Sequence, residues 1–335
     1  MRQQPSLHLL LVLLLGALVL SMLFSLTAGS YSISASQIWQ ALVAGPGNQS
    51  AASNIDVIIW QVRMPRTLGA LLLGAALAAA GAVFQSLLRN PLVSPDILGV
   101  SAGSGLGAIS AMLLGLSLFW LQISAFVGGL LAVALVYLLA GLLRQRDPVL
   151  MLVLAGIAVG TVLGACISLL KVLADPYDQL PAITYWLLGG LNSVSLAELA
   201  WAAPTILLPL ALVYAMRWRL NLLSLPDEQV TAMGVSVHAS RWLLIAAATL
   251  LTASAVSFAG IVGWVGLLIP HAARLLTGAN LQRLLPVSIL MGACFVLLTD
   301  SLARSLSSFE LPLGVLTALV GGPFFILLLI RSNRP

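Results

Sequence analysis

A P-loop needs a lysine after its glycine-rich loop to reach the phosphates of ATP, in the pattern G-x-x-x-x-G-K-[ST]. This chain has a single lysine, Lys171 in SLLKVLADP, and no such loop precedes it. The sequence therefore has no P-loop of its own. His8, His238 and His271 stand apart from one another, with no H-E-x-x-H, and no G-x-S-x-G nucleophile turn is present. The expectation is no catalytic residue and no metal site. Cys166 and Cys294 both sit inside apolar runs and read as small core residues rather than a disulfide. A carrier driven by protons or sodium usually keeps ionisable groups near the bilayer midplane. Here nearly every charge falls at the end of an apolar run. Asp300 is the nearest exception, and Arg304 lies one helical turn away, so the two read as a pair.

The elements that position these few groups are apolar. Of the 335 residues, 60% are hydrophobic and 7% charged, where a soluble domain carries roughly a quarter charged. Mean hydropathy is +1.08. A helix crossing a bilayer core about 30 Å thick needs about 20 apolar residues. Ten runs approximate this: 7–28, 66–88, 97–117, 119–143, 149–172, 197–216, 241–258, 260–276, 284–303 and 312–330. The first exceeds the 7–15-residue core of a secretory signal and reads as a span. With the N-terminus inside, eleven arginines fall on the inner side (Arg2, Arg89, Arg144, Arg146, Arg217, Arg219, Arg241, Arg274, Arg283, Arg331 and Arg334). Four basic residues fall outside (Arg63, Arg66, Lys171 and Arg304). That bias places both termini in the cytoplasm. The net charge of +5 is explained by this orientation, and no nucleic-acid partner is expected. No Pro-, Gly- or Ser-rich linker divides the chain, so residues 1–335 read as one all-α, polytopic membrane domain. Ten helices divide into two fives, and an odd number per half inverts the second against the first.

Four stretches carry more than hydropathy. In 217–242, Ser224 and Asp227 have capping-box spacing, Pro226 suits a first turn, Asp227 and Glu228 favour the positive helix end, and Gly234 suits a left-handed stop. The spacing predicts a capped helix of about nine residues, either a solvated loop element or a rigid docking element for a cytosolic partner. In 62–108, Pro65 reads as the first turn of the second span. Arg63 and Arg66 then crowd a helix N-terminus, where cations are disfavoured. They read either as anchors reaching the lipid interface or as a basic patch facing an acidic partner. RNPLVSPD breaks the helix on the inner side, and Gly99, Gly103 and Gly107 make a ridge for close packing. Gly156, Gly160 and Gly164 share a face, for helix packing or for the wall of a passage. Pro270 predicts a kink or break in the eighth span, and His271 reads as a hydrogen-bonded structural histidine.

Together RMPRTLGALLLGAALAAAGAVFQSLLRNPLVSPDILGVS, YWLLGGL, LPDEQVTAMGVSV, GLLIPHAARLLTG, DSLAR and ELPLGVLTALVGGPFF resemble the FecCD family, from about Ile55 onward. These are permease subunits of bacterial ABC importers for iron-siderophores, haem and cobalamin. The resemblance implies a cobalamin-permease-like fold and a second permease copy, identical or homologous, around a central path. It implies a cytosolic ATPase dimer that binds the ATP, a periplasmic binding protein, no cofactor in this chain, and the bacterial inner membrane. It places ATPase coupling in 224–238, on Ser224, Asp227, Glu228, Met233 and Gly234, and binding-protein docking on Arg63, Arg66 and Arg304. It places an inner gate at Asn90 and Leu92; the shared face of Gly156 and Gly160 is the candidate wall of the path. A second gate falls near Val149 and Leu150, where the cobalamin member has small hydroxyl residues and this chain does not. An iron chelate is the expected cargo. Molybdate or tungstate is the alternative within the same architecture. An ion-coupled secondary transporter or a non-transporting membrane scaffold are the alternatives outside it.

Overall fold

The computed structural model describes residues 6–29, 31–46, 54–142, 148–306 and 310–332, and it holds helices and no strand among them. α1 spans Leu7–Thr27 and opens at Ser6, whose hydroxyl accepts from the Leu9 N–H at 3.4 Å. α2 (Ala35–Ala44) opens at a capping box of Ser34 and Gln37. α3 (Asn54–Val57), a π turn (Ile58–Arg63) and α4 (Met64–Leu87) run on as one 34-residue stretch, so the second span begins well before residue 66. Pro65 accounts for the π turn. Its ring crowds the carbonyl one turn back, and a widened turn, in which the Met64 N–H reaches Ile59, makes room. A 3₁₀ turn (Pro95–Leu98) leads through Gly99, at φ 73°, into α5 (Val100–Leu113). Then come α6 (Leu118–Leu142), α7 (Pro148–Leu173), α8 (Gln179–Leu187), α9 (Leu196–Ala215), α10 (Arg217–Leu223) and α11 (Asp227–Ala232). The chain closes with α12 (Val237–Ala259), α13 (Val265–Thr277), α14 (Leu281–Ser305) and α15 (Leu313–Ser332).

Among the described residues, seven stretches are long and apolar enough to cross a membrane: α1, α3–α4, α6, α7, α9, α12 and α14. α5, α13 and α15 are the shorter apolar helices, so each of the ten runs holds a helix. The eighth run begins unwound, over 260–264, and α2, α8 and α10 lie outside the runs. α4 and α12 are central, with 83% and 78% of their apolar windows buried against 22% for α7. α4 packs on α14 and α13, while α12 packs on α6 and α5. In both quartets, α4–α7 and α12–α15, a long buried helix is followed by a break, a short helix and a 25-residue helix. Each quartet's central helix lies against the other's partners, which is the exchange that two inverted halves produce.

Small residues set these distances. Lipid is as apolar as leucine, so helices in it associate through close packing and polar contacts. A Cβ on Gly74 would lie 2.1 Å from the Gly292 carbonyl oxygen, and one on Gly81 would lie 1.8 Å from that of Gly266. Gly103 and Gly107 meet the backbone of Gly128 and Ser124 in the same way, so the expected ridge exists. Gly99 is not part of it and instead caps α5. Gly156 packs against the Ile97 carbonyl, whereas Gly164 has open space beside it.

Backbone at membrane depth must find partners inside the protein. The unwound segments find one another. Gly190 N–H donates to Ala259 O at 2.8 Å, Leu313 N–H to Gly189 O at 2.9 Å and Gly314 N–H to Leu188 O at 3.1 Å. Of the kink or break that the sequence suggested at Pro270, the break does not occur, and α13 runs on through it. Pro270 has no N–H for the Gly266 carbonyl, and the Gln85 amide stands in, 3.4 Å from that oxygen and 3.0 Å from Leu267 O. Cys166 is exposed on α7 rather than in the core, and Cys294 is half-buried.

If α4 is held by backbone contact, Gly81→Ala should lower the thermal unfolding midpoint of the detergent-purified chain. Overpacking of this kind costs about 1–3 kcal/mol. Gly164→Ala, with nothing within 4 Å of the added methyl, should leave the midpoint unchanged or raise it.

Candidate functional site

Polar chemistry is gathered at the two ends of the bundle. At one end, α4 runs out into the RNPLVSPD turn. Arg89 adopts φ 48°, a left-handed conformation uncommon for a side-chain-bearing residue. Its guanidinium secures it by donating to the Leu225 carbonyl and, at 3.0 Å, to Asp227 Oδ1. Asn90 closes the turn, its Oδ1 accepting from the Leu92 N–H at 2.9 Å, and Leu92 is exposed. The turn is wedged by Ile97 against Gly156 of α7 and by Pro95 against Gly266 of α13. Asn90 and Leu92 thus lie together, next to Arg89, which bonds the 225–227 segment. Val149 lies in the first turn of α7, and its side chain is outside the described residues; Leu150 is exposed there.

α11 has six residues, not nine, and no side-chain cap. Ser224 does not cap it. Its hydroxyl donates back to the Asn221 carbonyl at 2.6 Å, because Ser224 terminates α10. Asp227 is drawn away from the helix end by Arg89 and by Arg241, whose Nη2 lies 3.0 Å from Oδ1. Charge-assisted bonds of this kind are about twice as strong as neutral ones, so they outcompete the capping box. Gly234 stops the helix at φ 78°, as its position suggested. Val230 is buried and anchors α11, while Glu228 and Met233 face outward. The hydrogen bonds of Arg241, with its charge and that of Arg89, hold the Asp227 carboxyl below its ordinary 3.8. The link therefore contributes fully above that value and is lost only as pH falls through the lower folded one. Arg89 and Arg241 entered the sequence reading only as topology markers. A non-glycine residue in a left-handed turn leaves no mark in composition or spacing.

At the other end, Arg63, Arg66 and Arg304 come together, but not as an exposed patch. They are 3%, 4% and 6% exposed. Arg66 donates to Asp300 Oδ1 at 2.9 Å and to Glu310 Oε1 at 2.6 Å. Arg304 Nε lies 3.0 Å from Asp300 Oδ2, the i,i+4 pairing that the sequence suggested. Arg304 also donates to Ser25 Oγ at 2.9 Å, to Ser25 O at 3.2 Å and to Ala28 O at 3.3 Å. Arg63 donates to the carbonyls of Leu26, Thr27 and Tyr31. The last carbonyls of a helix lack intrahelical partners and carry its negative end. Arg63 and Arg304 satisfy those of α1. Of the two cations expected to crowd the α4 N-terminus, Arg63 thus serves the C-terminus of α1, and Arg66 is paired with carboxylates. The surface exposure expected of all three is corrected on this point.

His271 has Phe325 edge-on at 5.9 Å, and neither ring nitrogen has a hydrogen-bond partner, unlike the bonded histidine expected. The middle of α7 presents an exposed stripe at i,i+3/i+4 spacing: Leu154, Ala158, Thr161, Ala165, Ser168 and Val172. Its hydroxyls bond back to their own helix, Thr161 to Ile157 O at 2.8 Å and Ser168 to Gly164 O at 3.0 Å.

A bundle of apolar helices in two exchanged halves, with its charged groups gathered towards the helix ends, is that of a polytopic membrane protein. The chain belongs to the FecCD transport family, whose profile matches residues 17–331. It is 42% identical to the molybdate import system permease protein MolB of Haemophilus influenzae, over 95% of this chain and 94% of that one. It is 40% identical to a permease protein of Helicobacter pylori named for iron chelatin transport, over 84% and 85%. It is 37% identical to the ferric enterobactin transport system permease protein FepG of Escherichia coli, over 96% of both. An ABC transporter of the metal-chelate type, solved in an inward-facing conformation, matches with a TM-score of 0.86 and 39% identity, over 96% of this chain and 98% of its own. The fold is thus the all-α, polytopic permease fold expected. The protein is an integral membrane permease subunit of an ABC importer, a type that works with separate ATPase and substrate-binding partners.

Asp300→Asn should destabilise the detergent-purified protein strongly, because it strips a buried counter-charge from both Arg66 and Arg304. Breaking such a pair costs about 3–5 kcal/mol. Glu310→Gln, at a side chain 43% exposed, should cost no more than about 1 kcal/mol. Thermal unfolding of the two variants checks the order.

Proposed function

We propose that two copies of this chain form the translocation path of a binding-protein-dependent importer, with the small-residue stripe of α7 lining it. The observation that carries this reading is the stripe itself. A lone helix facing lipid gains nothing from Ala158, Thr161, Ala165 and Ser168 in a row, whereas a passage or a second copy uses their narrow profile. α10–α11 is the docking element for the ATPase, with Glu228 and Met233 outward and Asp227 tying it to the gate turn through Arg89. Both termini lie in the cytoplasm, on the side of Arg89, Arg217 and Arg241. The binding protein docks at the opposite end. There Glu310 is the exposed member of the cluster, and a docking carboxylate would compete with it for Arg66.

The proposed cargo is an iron chelate, supported by the Helicobacter and Escherichia relatives and by an interior whose charges lie at its ends. Molybdate is the second reading, favoured by 42% identity to the Haemophilus permease over nearly the full length.

Proteoliposomes holding the chain with its ATPase and binding protein test both. ATP-dependent accumulation of a ⁵⁵Fe-siderophore, unaffected by molybdate, is expected; accumulation of ⁹⁹Mo-molybdate instead would select the second reading. Thr161→Trp should abolish uptake while the ATPase still copurifies, and Glu228→Arg should weaken copurification. Normal uptake by Thr161→Trp, or uptake driven by a proton gradient without ATP, would overturn the proposal.

A further inference from the structure

On the outer face of the bundle, α1 and α9 flank a groove of about 460 Å³ that α14 floors. Leu11 and Leu15 line one wall, Leu207 and Ala211 the other, with Pro286 and Ile289 beneath. From Leu207 to Tyr214 it follows α9 for seven steps along the helix, about 10 Å at about 1.5 Å per residue. Tyr214 closes one end. The Arg217 guanidinium sits over the Tyr214 ring at 4.1 Å and donates to the Tyr214 carbonyl at 2.8 Å. None of the ion pairs among the described residues involves Arg217. An apolar furrow on a membrane helix bundle thus ends at a cation with no ion-pair partner among the described residues.

We propose that this groove is a binding site for one anionic phospholipid, an acyl chain lying along Leu207–Ala211 and the headgroup phosphate at Arg217. The chemistry divides cleanly. The furrow offers a chain only dispersion contacts, with the Tyr214 hydroxyl its one polar side-chain group. Arg217 offers the remaining N–H groups of a planar donor fork, beyond the Nη1–H given to the Tyr214 carbonyl, and that fork matches phosphate oxygens. Stacking on Tyr214 holds that fork in place, so little side-chain freedom is lost when a phosphate arrives. A zwitterionic lipid brings its own cation beside the phosphate and gains less. The site lies on the outside of α9, remote from the α7 stripe, so it does not depend on which cargo the protein carries.

Native mass spectrometry of the full-length chain in detergent tests this. Phosphatidylglycerol and phosphatidylcholine with identical oleoyl chains are titrated separately. One basic residue near a membrane surface contributes about 1 kcal/mol, roughly five-fold in retention. Wild type should therefore hold phosphatidylglycerol about five-fold better, and Arg217→Gln should bring the two lipids level. Ala211→Phe, which keeps every charge and fills the furrow, should reduce retention of both. Lys171→Gln, far from the groove, should behave as wild type. Inorganic phosphate in excess should not displace the lipid; displacement would mean that the cation alone is the site. Equal retention of both lipids by wild type, or undiminished phosphatidylglycerol binding by both Arg217→Gln and Ala211→Phe, would overturn the proposal.

Discussion

The position of α4 rests on two places where backbone meets backbone, Gly74 against Gly292 and Gly81 against Gly266. Helix association in lipid lacks the hydrophobic drive that packs a soluble core, so the closeness that a bare Cα allows counts for more. With α14 and α13 seated there, α4 becomes a rod through the middle of the bundle. Its two ends hold the groups that matter. Arg63 and Arg66 are at one end, and Gln85 and Arg89 at the other.

Each end uses charge differently. Around Asp300, three arginines face two carboxylates, and the surplus is absorbed by the terminal carbonyls of α1. The cluster is buried, so it fixes geometry and joins α1, α4 and α14. Around Asp227 the pairs are half exposed and weaker, and they join a left-handed turn to a short helix and the start of α12. The bundle thus has a stiff staple at one end and a looser tie at the other. Between them, Gly189, Gly260 and Gly314 let three chain breaks cross and bond one another.

Hydropathy was enough to find ten helices, because a span of lipid imposes its length on the sequence directly. The glycine ridge on α5 and the stop at Gly234 were also legible, since both follow from local spacing. The failures share a cause. Ser224 and Asp227 satisfy a local capping rule, yet Arg89 and Arg241, distant in sequence, claim the carboxylate. Arg63 and Arg304 look like surface charges until the end of α1 arrives to use them. Pro270 looks like a break until Gln85 supplies the missing donor. In each case a partner far along the chain overrides a local preference, and one sequence alone does not reveal that partner. Arg66 was half legible: its neighbour Asp300 was noticed, but only as a partner of Arg304.

The central claim is that α4 is the fixed element about which the rest is arranged. Hydrogen exchange of the chain in lipid nanodiscs, read by mass spectrometry, measures this directly. Exchange reports local opening, which is rarest where backbone is most tightly held. Amides from Thr67 to Ser86 should be among the slowest in the protein, with those of 260–264 and of the 89–94 turn exchanging far sooner. If α4 exchanges as fast as those unwound segments, it is not the strut described, and the arrangement must be held from elsewhere.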